Sequence, residues 1–344
     1  MNILFTSAGR RGYLLSYFRE VIGKSGRIYA GNSIPNAPSF LYADDSVITP
    51  QIYDDEYIPF LLDYCKKKDI DVIIPLFDID LPILSKNKGL FYSNGIEVIV
   101  SDISAVSICN DKWKTYIFCK NNNICTPKTF LSIEDTKIAL QKGEVSFPLF
   151  VKPRWGMGSI SVFSVNNLLE LEVLYGKVKD EIFKTYLKFE SVEDSEQCIV
   201  IQEKLLGQEH GLDIINDLNG NYCNTIVKKK IAMRSGETDC AEVIRNSELE
   251  KLGKKISEKL KHIANLDADV FMVGEKPYLL EMNARFGGGY PFSHFAGIDL
   301  PRAIVKWLKN IEIEDELIVK RYNVFAQKDI RMIDLTSIMI NSGE

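Results

Sequence analysis

Residues 1 to about 105 alternate short β-rich runs with helical patterns, and nothing else in the chain constrains the fold as strongly. Strand-like runs fall at 2–6, 27–30, 72–75 and 97–100, with helical spacing at 12–22, 57–67 and 81–86 between them. Such alternation predicts βαβ units wound into a parallel sheet covered by helices. At 344 residues the chain exceeds one small domain, so further cores must follow this first sheet. The net charge of -5 offers no basic footprint for nucleic acid. Seven scattered cysteines without a CxxC pair argue against a disulfide framework or zinc site and for a reducing compartment. The apolar run at the N-terminus is too short for a signal peptide, and no run of about 18 apolar residues appears. The expectation is a cytoplasmic protein without a membrane segment.

Within the first sheet, the turn Ser7-Ala8-Gly9-Arg10-Arg11-Gly12 is like a dinucleotide-binding GxGxxG with serine in the first place. The acidic residue that would hold a ribose at the end of the second strand is missing, and Gly31-Asn32-Ser33 stands there instead, which disfavours a nicotinamide cofactor. Asp78 and Asp80 follow the strand at 72–75, where a sheet of this kind presents residues to a ligand; as helix-capping acids they would serve structure alone.

The stretch at 278–289, YLLEMNARFGGG, carries chemistry. Read as a strand, it puts Glu281, Asn283 and Arg285 on one face at steps of about 6–7 Å. Two hard oxygen ligands beside a cation suit a magnesium-bound polyphosphate. A hairpin joining 270–273 to 278–280 sets Asp269 beside Glu281, and two acids so placed repel unless a cation lies between them. Upstream, FPLFVKP with Lys152 leads into Arg154-Trp155-Gly156-Met157-Gly158-Ser159 and a strand at 160–165: a loop that can close its N–H groups on phosphate, or a plain hairpin. Residues 102–123 read as one helix including Asp111-Lys112, 168–187 and 248–265 as helices, and 301–310 as the last. A strand at 198–202 leads into Glu203-Lys204-Leu205 and Gly207-Gln208-Glu209. One at 222–230 ends in Lys228, Lys229 and Lys230 before a loop, 231–239, that carries Arg234.

Asp111-Lys112, Val151-Lys152-Pro153 with Gly156-Met157-Gly158-Ser159, Gln202-Glu203-Lys204-Leu205 with Glu209, and Glu281-Met282-Asn283-Ala284-Arg285 occur in an order that resembles the ATP-grasp superfamily. The N-terminal part resembles its carbamoyl-phosphate-synthase-large-subunit-like branch, which includes stand-alone carboxylate–amine ligases. The resemblance implies an α/β and α+β chain: a Rossmann-like pre-ATP-grasp domain (1–105), a two-lobed ATP-grasp domain (106–310, mobile lobe about 125–202) and a C-terminal tail (311–344). By the same resemblance Lys112, Lys152, Gly156, Gly158 and Ser159 hold ATP phosphates, Glu203, Lys204 and Leu205 read adenine, and Glu209 holds the ribose. Asp269, Glu281 and Asn283 hold one or two magnesium ions, with manganese as a substitute and Asp267 as a rival ligand. Arg285, with Lys230 or Arg234, stabilises the transferred phosphoryl group. Alanine stands at 284 where the family pattern has proline.

The implied reaction turns a carboxylate into an acyl phosphate that an amine then attacks, giving an amide, ADP and phosphate. The implied partners are a small carboxylate and a small amine, with no nucleic acid and no membrane; a homodimer is left open. Phosphorylation of bicarbonate or a small acid, as in carbamoyl phosphate synthesis, and a non-catalytic ATP-binding scaffold are the alternatives.

Overall fold

A computed structural model describes residues 1–336 apart from Met157 and Ser159. The N-terminal sheet is parallel and orders its strands β3-β2-β1-β4-β5: β1 (Ile3–Thr6), β2 (Ile28–Asn32), β3 (Asp45–Ile48), β4 (Val72–Pro75) and β5 (Glu97–Val98). Both faces of such a sheet are covered, so β1 and β4 are buried at every position, and apolar apart from Thr6, rather than alternating. Helices α1 (Gly12–Ile22), α2 (Tyr57–Lys67) and α3 (Asp80–Tyr92) supply the cover, α1 through Leu14, Leu15, Phe18 and Ile22 at helical spacing. β3, which carries an acid and a serine in its four residues, is a strand the sequence pattern does not reveal.

The single helix expected over 102–123 is two. α4 (Ile103–Asn110) ends and α5 (Lys112–Asn121) begins at Asp111, whose backbone is extended and whose carboxylate accepts from the N–H groups of Trp113 and Lys114. An aspartate there satisfies the orphan donors of a new first turn, which is why the chain breaks at that residue.

Next comes an antiparallel sheet ordered β6-β9-β7-β8: β6 (Thr129–Phe130), β7 (Leu149–Pro153), β8 (Phe163–Val165) and β9 (Ile199–Glu203). It carries its own hydrophobic core, including Leu149, Val151, Leu171, Val178, Ile182 and Ile201. β8 starts at Phe163 rather than at residue 160. The helix expected over 168–187 stops at Phe183 (Leu168–Phe183), with a short helix Lys188–Ser191 beyond it.

The largest sheet is ordered β14-β13-β10-β11-β12-β15, from β10 (Gln208–Asn216), β11 (Tyr222–Arg234), β12 (Glu237–Ile244), β13 (Ala264–Val273), β14 (Lys276–Asn283) and β15 (Val324–Gln327). Two expectations are corrected here. Residues 231–239 are not a loop: β11 runs on to Arg234, turns over Ser235-Gly236 (φ 50° and 78°), and returns as β12. The helix expected to reach 265 is Ser247–Leu260, capped by Asn246 and closed by Lys261 in the left-handed region, and β13 begins at Ala264. Helix Leu300–Leu308 packs on α1, and β15 pairs with the edge strand β12, so part of the C-terminal segment completes the sheet. Residues of the parallel sheet and of the six-stranded sheet share two continuous cores, with Leu4 and Ile73 alongside Leu212 and Leu266 in one, and Phe5 and Ile74 alongside Ile215 and Ile226 in the other. Among the described residues no helix is long and apolar enough to cross a membrane.

Candidate active site

The β13–β14 hairpin sets the centre. Its register pairs Asp267 with Asn283 and Asp269 with Glu281, side by side as the sequence predicts. A shift between Asp269 and Val270 leaves Leu280 without a partner, the mark of a β-bulge. Strict alternation therefore fails: Leu279 and Met282 are buried in the core, while Leu280 and Glu281 both face one cavity. Arg285 lies two residues beyond the strand end.

The acids around this hairpin are partly neutralised by the protein itself. Lys230 Nζ donates to Asp269 Oδ1 at 2.6 Å and to Glu209 Oε1 at 2.7 Å, tying an expected metal ligand to an expected ribose ligand. Arg285 is buried between two carboxylates, 2.8 Å from Asp78 and 3.1 Å from Asp267. Burial tends to raise the Asp267 carboxyl, but Arg285, Lys228 and Lys230 overcome it and hold the group below its usual range. Asp269 goes the other way. Burial, aided by Asp267, Glu281 and Glu209, lifts it to about 7 against the pull of Lys230. So Asp267 is committed to Arg285, while Asp269 shares the one ammonium of Lys230 with Glu209 and lies beside Glu281, more acid than that lysine balances. Glu281 makes no ion pair or hydrogen bond to another described side chain. Gly287 is required here: a Cβ at that position would lie 2.1–2.3 Å from the Asp267 carboxylate atoms.

A cavity of about 400 Å³ runs from this centre between β7, β9 and the β10–β13 face. Lys112 Nζ and Lys152 Nζ enter it, the first donating to the Gly156 carbonyl and the second to Gln202 Oε1, both at 2.6 Å. Burial lowers both ammonium groups. Lys152 falls to about 8, with Glu281 opposing the shift and Lys112 adding to it. Among the described residues neither lysine has a carboxylate partner, so each offers charge to an anion. Gly156 and Gly158 line the wall with φ of 109° and 66°; Ser159 lies outside the described residues. Arg154 is withdrawn from the loop, forked onto Asp111 by two 2.8 Å bonds and reaching Asp194 at 3.0 Å. At the far end Glu203 turns its N–H and its carboxylate to the Lys128 backbone. The peptide groups of Lys204 and Leu205 make no hydrogen bond to other described residues and are left for a ligand; Lys204 sends its ammonium over the Phe150 ring.

A second chamber, of about 280 Å³, opens on the other side of the same acids. Ser7 to Arg11, Leu76, Lys230, Asp267, Arg285 and Gly288-Gly289 help to enclose it, and Gly158, Met233, Gly236, Asp269 and Glu281 face both cavities. Arg11 anchors the β1–α1 turn by donating to the carbonyls of Leu76 and Phe286, both at 2.7 Å. The turn that is like a dinucleotide fingerprint thus forms a wall of this chamber. Neither Asp78 nor Asp80 caps a helix: Asp78 clamps Arg285, and Asp80 accepts from the Tyr57 hydroxyl at 2.6 Å. Arg234 is not brought in; half exposed, it pairs with Asp239.

The donor set around Glu281 suits magnesium. Asp269, Glu281 and Asn283 offer oxygen ligands, and the crowding of acids around Asp269 is what a cation relieves. Among the described residues no three acidic, histidine or cysteine side chains form a complete metal cage, the usual situation where phosphate oxygens and water finish the coordination. Sequence reasoning missed Glu190, whose carboxyl burial raises to about 7 as it faces Lys112 and Asp78 across a cavity of about 20 Å³. It had no way to pair Asp78 with Arg285, 207 positions away.

Residues 3–99 match the family described as PylC-like, N-terminal domain, and residues 195–336 the family described as ATP-grasp in the biosynthetic pathway with Ter operon. The vancomycin/teicoplanin A-type resistance protein VanA of Enterococcus faecium is 29% identical over 130 residues, covering 38% of this chain and 33% of the relative. The alpha-aminoadipate–LysW ligase LysX of Saccharolobus solfataricus is 27% identical over 139 residues, 39% of this chain and 47% of that one. The matched stretch thus spans less than half the length of either relative. Biotin carboxylase of Campylobacter jejuni, solved with β,γ-ATP, superposes over 92% of this chain and 72% of its own with a TM-score of 0.71 at 16% identity, a likeness of fold. The chain thus carries a PylC-like N-terminal domain followed by a segment that matches an ATP-grasp family.

Proposed function

We propose that this chain is an ATP-dependent carboxylate–amine ligase. One observation carries the reading: a nucleotide-sized cavity holding two lysines without a carboxylate partner among the described residues meets a smaller chamber across Asp269 and Glu281, with Lys230 and Arg285 on the chamber side. The γ-phosphate of ATP would lie at that junction, and the carboxylate to be phosphorylated would approach from the chamber. Lys112 and Lys152 bind phosphate oxygens, while the Gly156–Gly158 stretch shields them from water that would hydrolyse an acyl phosphate. Lys204 and Leu205 read adenine through their peptide groups, and Glu209 lies within reach of a ribose. Asp269, Glu281 and Asn283 would hold magnesium, with manganese as a substitute; the ion neutralises charge on the β- and γ-phosphates. Arg285, fixed by Asp78 and Asp267, is set to stabilise the transferred phosphoryl group, and Lys230 stands closer to this task than Arg234. An amine entering the chamber attacks the acyl carbon, forming the C–N bond as phosphate departs.

In this reading residues 1–105 form the pre-ATP-grasp domain, 106–310 the ATP-grasp domain with a moving lobe near 125–202, and 311–344 the tail. A cytoplasmic location accords with seven unpaired cysteines. Light scattering decides whether the chain is a homodimer. The function is tested by coupled assay of ADP release over a panel of acid–amine pairs: release should require both members of a pair. Glu281→Ala and Arg285→Ala should each reduce it at least 10³-fold, in the range seen on removing one transition-state contact, with far-UV circular dichroism unchanged. Wild-type turnover in either variant defeats the assignment.

A further inference from the structure

Three buried polar side chains converge on one carboxylate that phosphate handling does not use. Asp213, inside β10, accepts from Lys228 Nζ, from Ser293 Oγ and, at 3.2 Å, from Asn265 Nδ2. None of these four residues is more than 1% exposed. The register sets Asp213 opposite Asp267, so it is the cross-strand neighbour of an acid that clamps Arg285. Lys228 and Lys230 both run along Gly211, where a Cβ would lie 3.5 Å and 3.3 Å from their Cε atoms. From there they part, Lys230 to Glu209 and Asp269, and Lys228 to Asp213.

Each arm of the cluster leads to the segment from Arg285 to Ser293, whose Gly288-Gly289 stretch lines the chamber. Asn265 Nδ2 also donates to the Arg285 carbonyl, at 3.2 Å. The Lys228 ammonium lies 3.2 Å from where a Cβ of Gly289 would stand. Ser293, on the short helix Tyr290–Phe295, ties the far end of the segment to the same carboxylate. Asp78 and Asp267 hold the Arg285 guanidinium; the Asp213 cluster holds the main chain that carries it. A buried lysine–aspartate pair adds little stability over an apolar pair of similar volume, because removing both charges from water offsets their attraction. Stability alone therefore does not account for it.

Resting on the ligase reading, we propose that Asp213 is a positioning residue for phosphoryl transfer: through Asn265, Lys228 and Ser293 it fixes the main chain from Arg285 to Ser293 and so aims the Arg285 guanidinium. A misplacement of about 1 Å in such a contact costs about 10²-fold in rate. In the ligase reading nucleotide affinity rests on Lys112, Lys152 and residues 203–205, none of which makes a hydrogen bond or ion pair with the cluster. Loss of the cluster should therefore appear in kcat and leave nucleotide binding intact.

The test measures turnover by ADP release, magnesium ADP binding and thermal unfolding on the full chain. Asp213→Asn strands the Lys228 ammonium, and should lower Tm and reduce kcat about 10²-fold with magnesium ADP binding unchanged. Asp213→Leu combined with Lys228→Met replaces the ions by apolar groups and should restore Tm while kcat stays low. Asn265→Ala spares the ion pair and tests the same link even where the ionic variants fold poorly; it should reduce kcat at least about tenfold, part of the loss that an ångström's misplacement gives. Turnover that recovers together with Tm in the double variant makes the cluster a structural support and overturns the proposal, as does wild-type kcat in Asn265→Ala. Hydrogen exchange reads the main chain without any turnover. The amides of Arg285, Tyr290 and Phe292, each bonded to a carbonyl two or three residues earlier, should exchange faster in Asn265→Ala, with β1 and β4 unchanged. Unchanged exchange there overturns the proposal. The ligase reading fails separately, if no acid–amine pair drives ADP release by the wild-type chain while nucleotide still binds.

Discussion

At the scale of single residues, the active site stores charge that a ligand is needed to balance. Lys152 is the sharpest case: an ammonium group buried without a carboxylate, its pKa down to about 8. Phosphate oxygens would favour its charged form, so in the complex it stays protonated to higher pH than in the free protein. Nucleotide binding then takes up a proton above pH 8, and affinity falls as pH rises from 8 through 9.5; below pH 7 this group contributes no pH dependence. We expect the dissociation constant of magnesium ADP, measured by fluorescence titration, to rise up to tenfold per pH unit across that window. Lys152→Arg, which keeps its charge throughout, should flatten the profile. An unchanged profile in the arginine variant would mean that Lys152 does not face the phosphates. Lys152 was legible in the sequence as a lysine at a strand end before a glycine loop. Its lowered pKa was not, because that depends on burial and on Lys112, 40 positions earlier in the chain.

At the scale of elements, Asp111 shows how one residue does two jobs. It caps α5 and takes both arms of the Arg154 guanidinium, joining the helix that carries Lys112 to the strand that carries Lys152. Asp111→Ala removes a cap, worth about 1 kcal/mol, and leaves Arg154 buried without its main partner, a loss of about 3–5 kcal/mol for a broken buried pair. Urea unfolding should register a loss of that order, and nucleotide affinity should fall because the two lysines lose their common frame. A change under 1 kcal/mol would show that Asp194 and water replace Asp111 adequately. The expectation of one helix across 102–123 failed here because an aspartate inside such a stretch reads equally as a solvated helix residue, and its capping bonds and its contact with Arg154 exist only in the fold. The β14 bulge escaped for a similar reason: YLLEMN reads as simple alternation, and the extra residue is set by pairing with β13. The hairpin at Ser235-Gly236 was missed because Ile231–Arg234 mixes charged and apolar residues, which suits the exposed end of a strand and gives no clean period. What the sequence did show were the local features: βαβ alternation over the first sheet, and Glu281 and Asn283 two residues apart on one strand.

At the scale of the whole molecule, the three sheets are not equally coupled. The parallel sheet and the six-stranded sheet share their hydrophobic cores and are joined by Arg285–Asp78 and by the Arg11 bonds to Leu76 and Phe286. The β6–β9 sheet packs on a core of its own. Beyond that core it is held to the rest at a few places, among them Arg154–Asp111 and the stacking of Phe189 on Tyr53 at 4.3 Å. A unit with its own core and few outside contacts opens separately, at a lower free energy than the shared core. Hydrogen exchange without nucleotide should therefore show weaker protection for β7 and β9 than for β1, β4, β10 and β13. Magnesium ADP at about 100 times its dissociation constant stabilises any state that binds it by about 2.7 kcal/mol over one that does not. If opening of the β6–β9 unit releases the nucleotide, amides in β7 and β9 should slow by about 100-fold, while local openings of β1 and β4 stay at their original rates. Uniform slowing across all three sheets would instead make the molecule a single cooperative unit, and would leave the glycine loop without a mobile lobe to carry it.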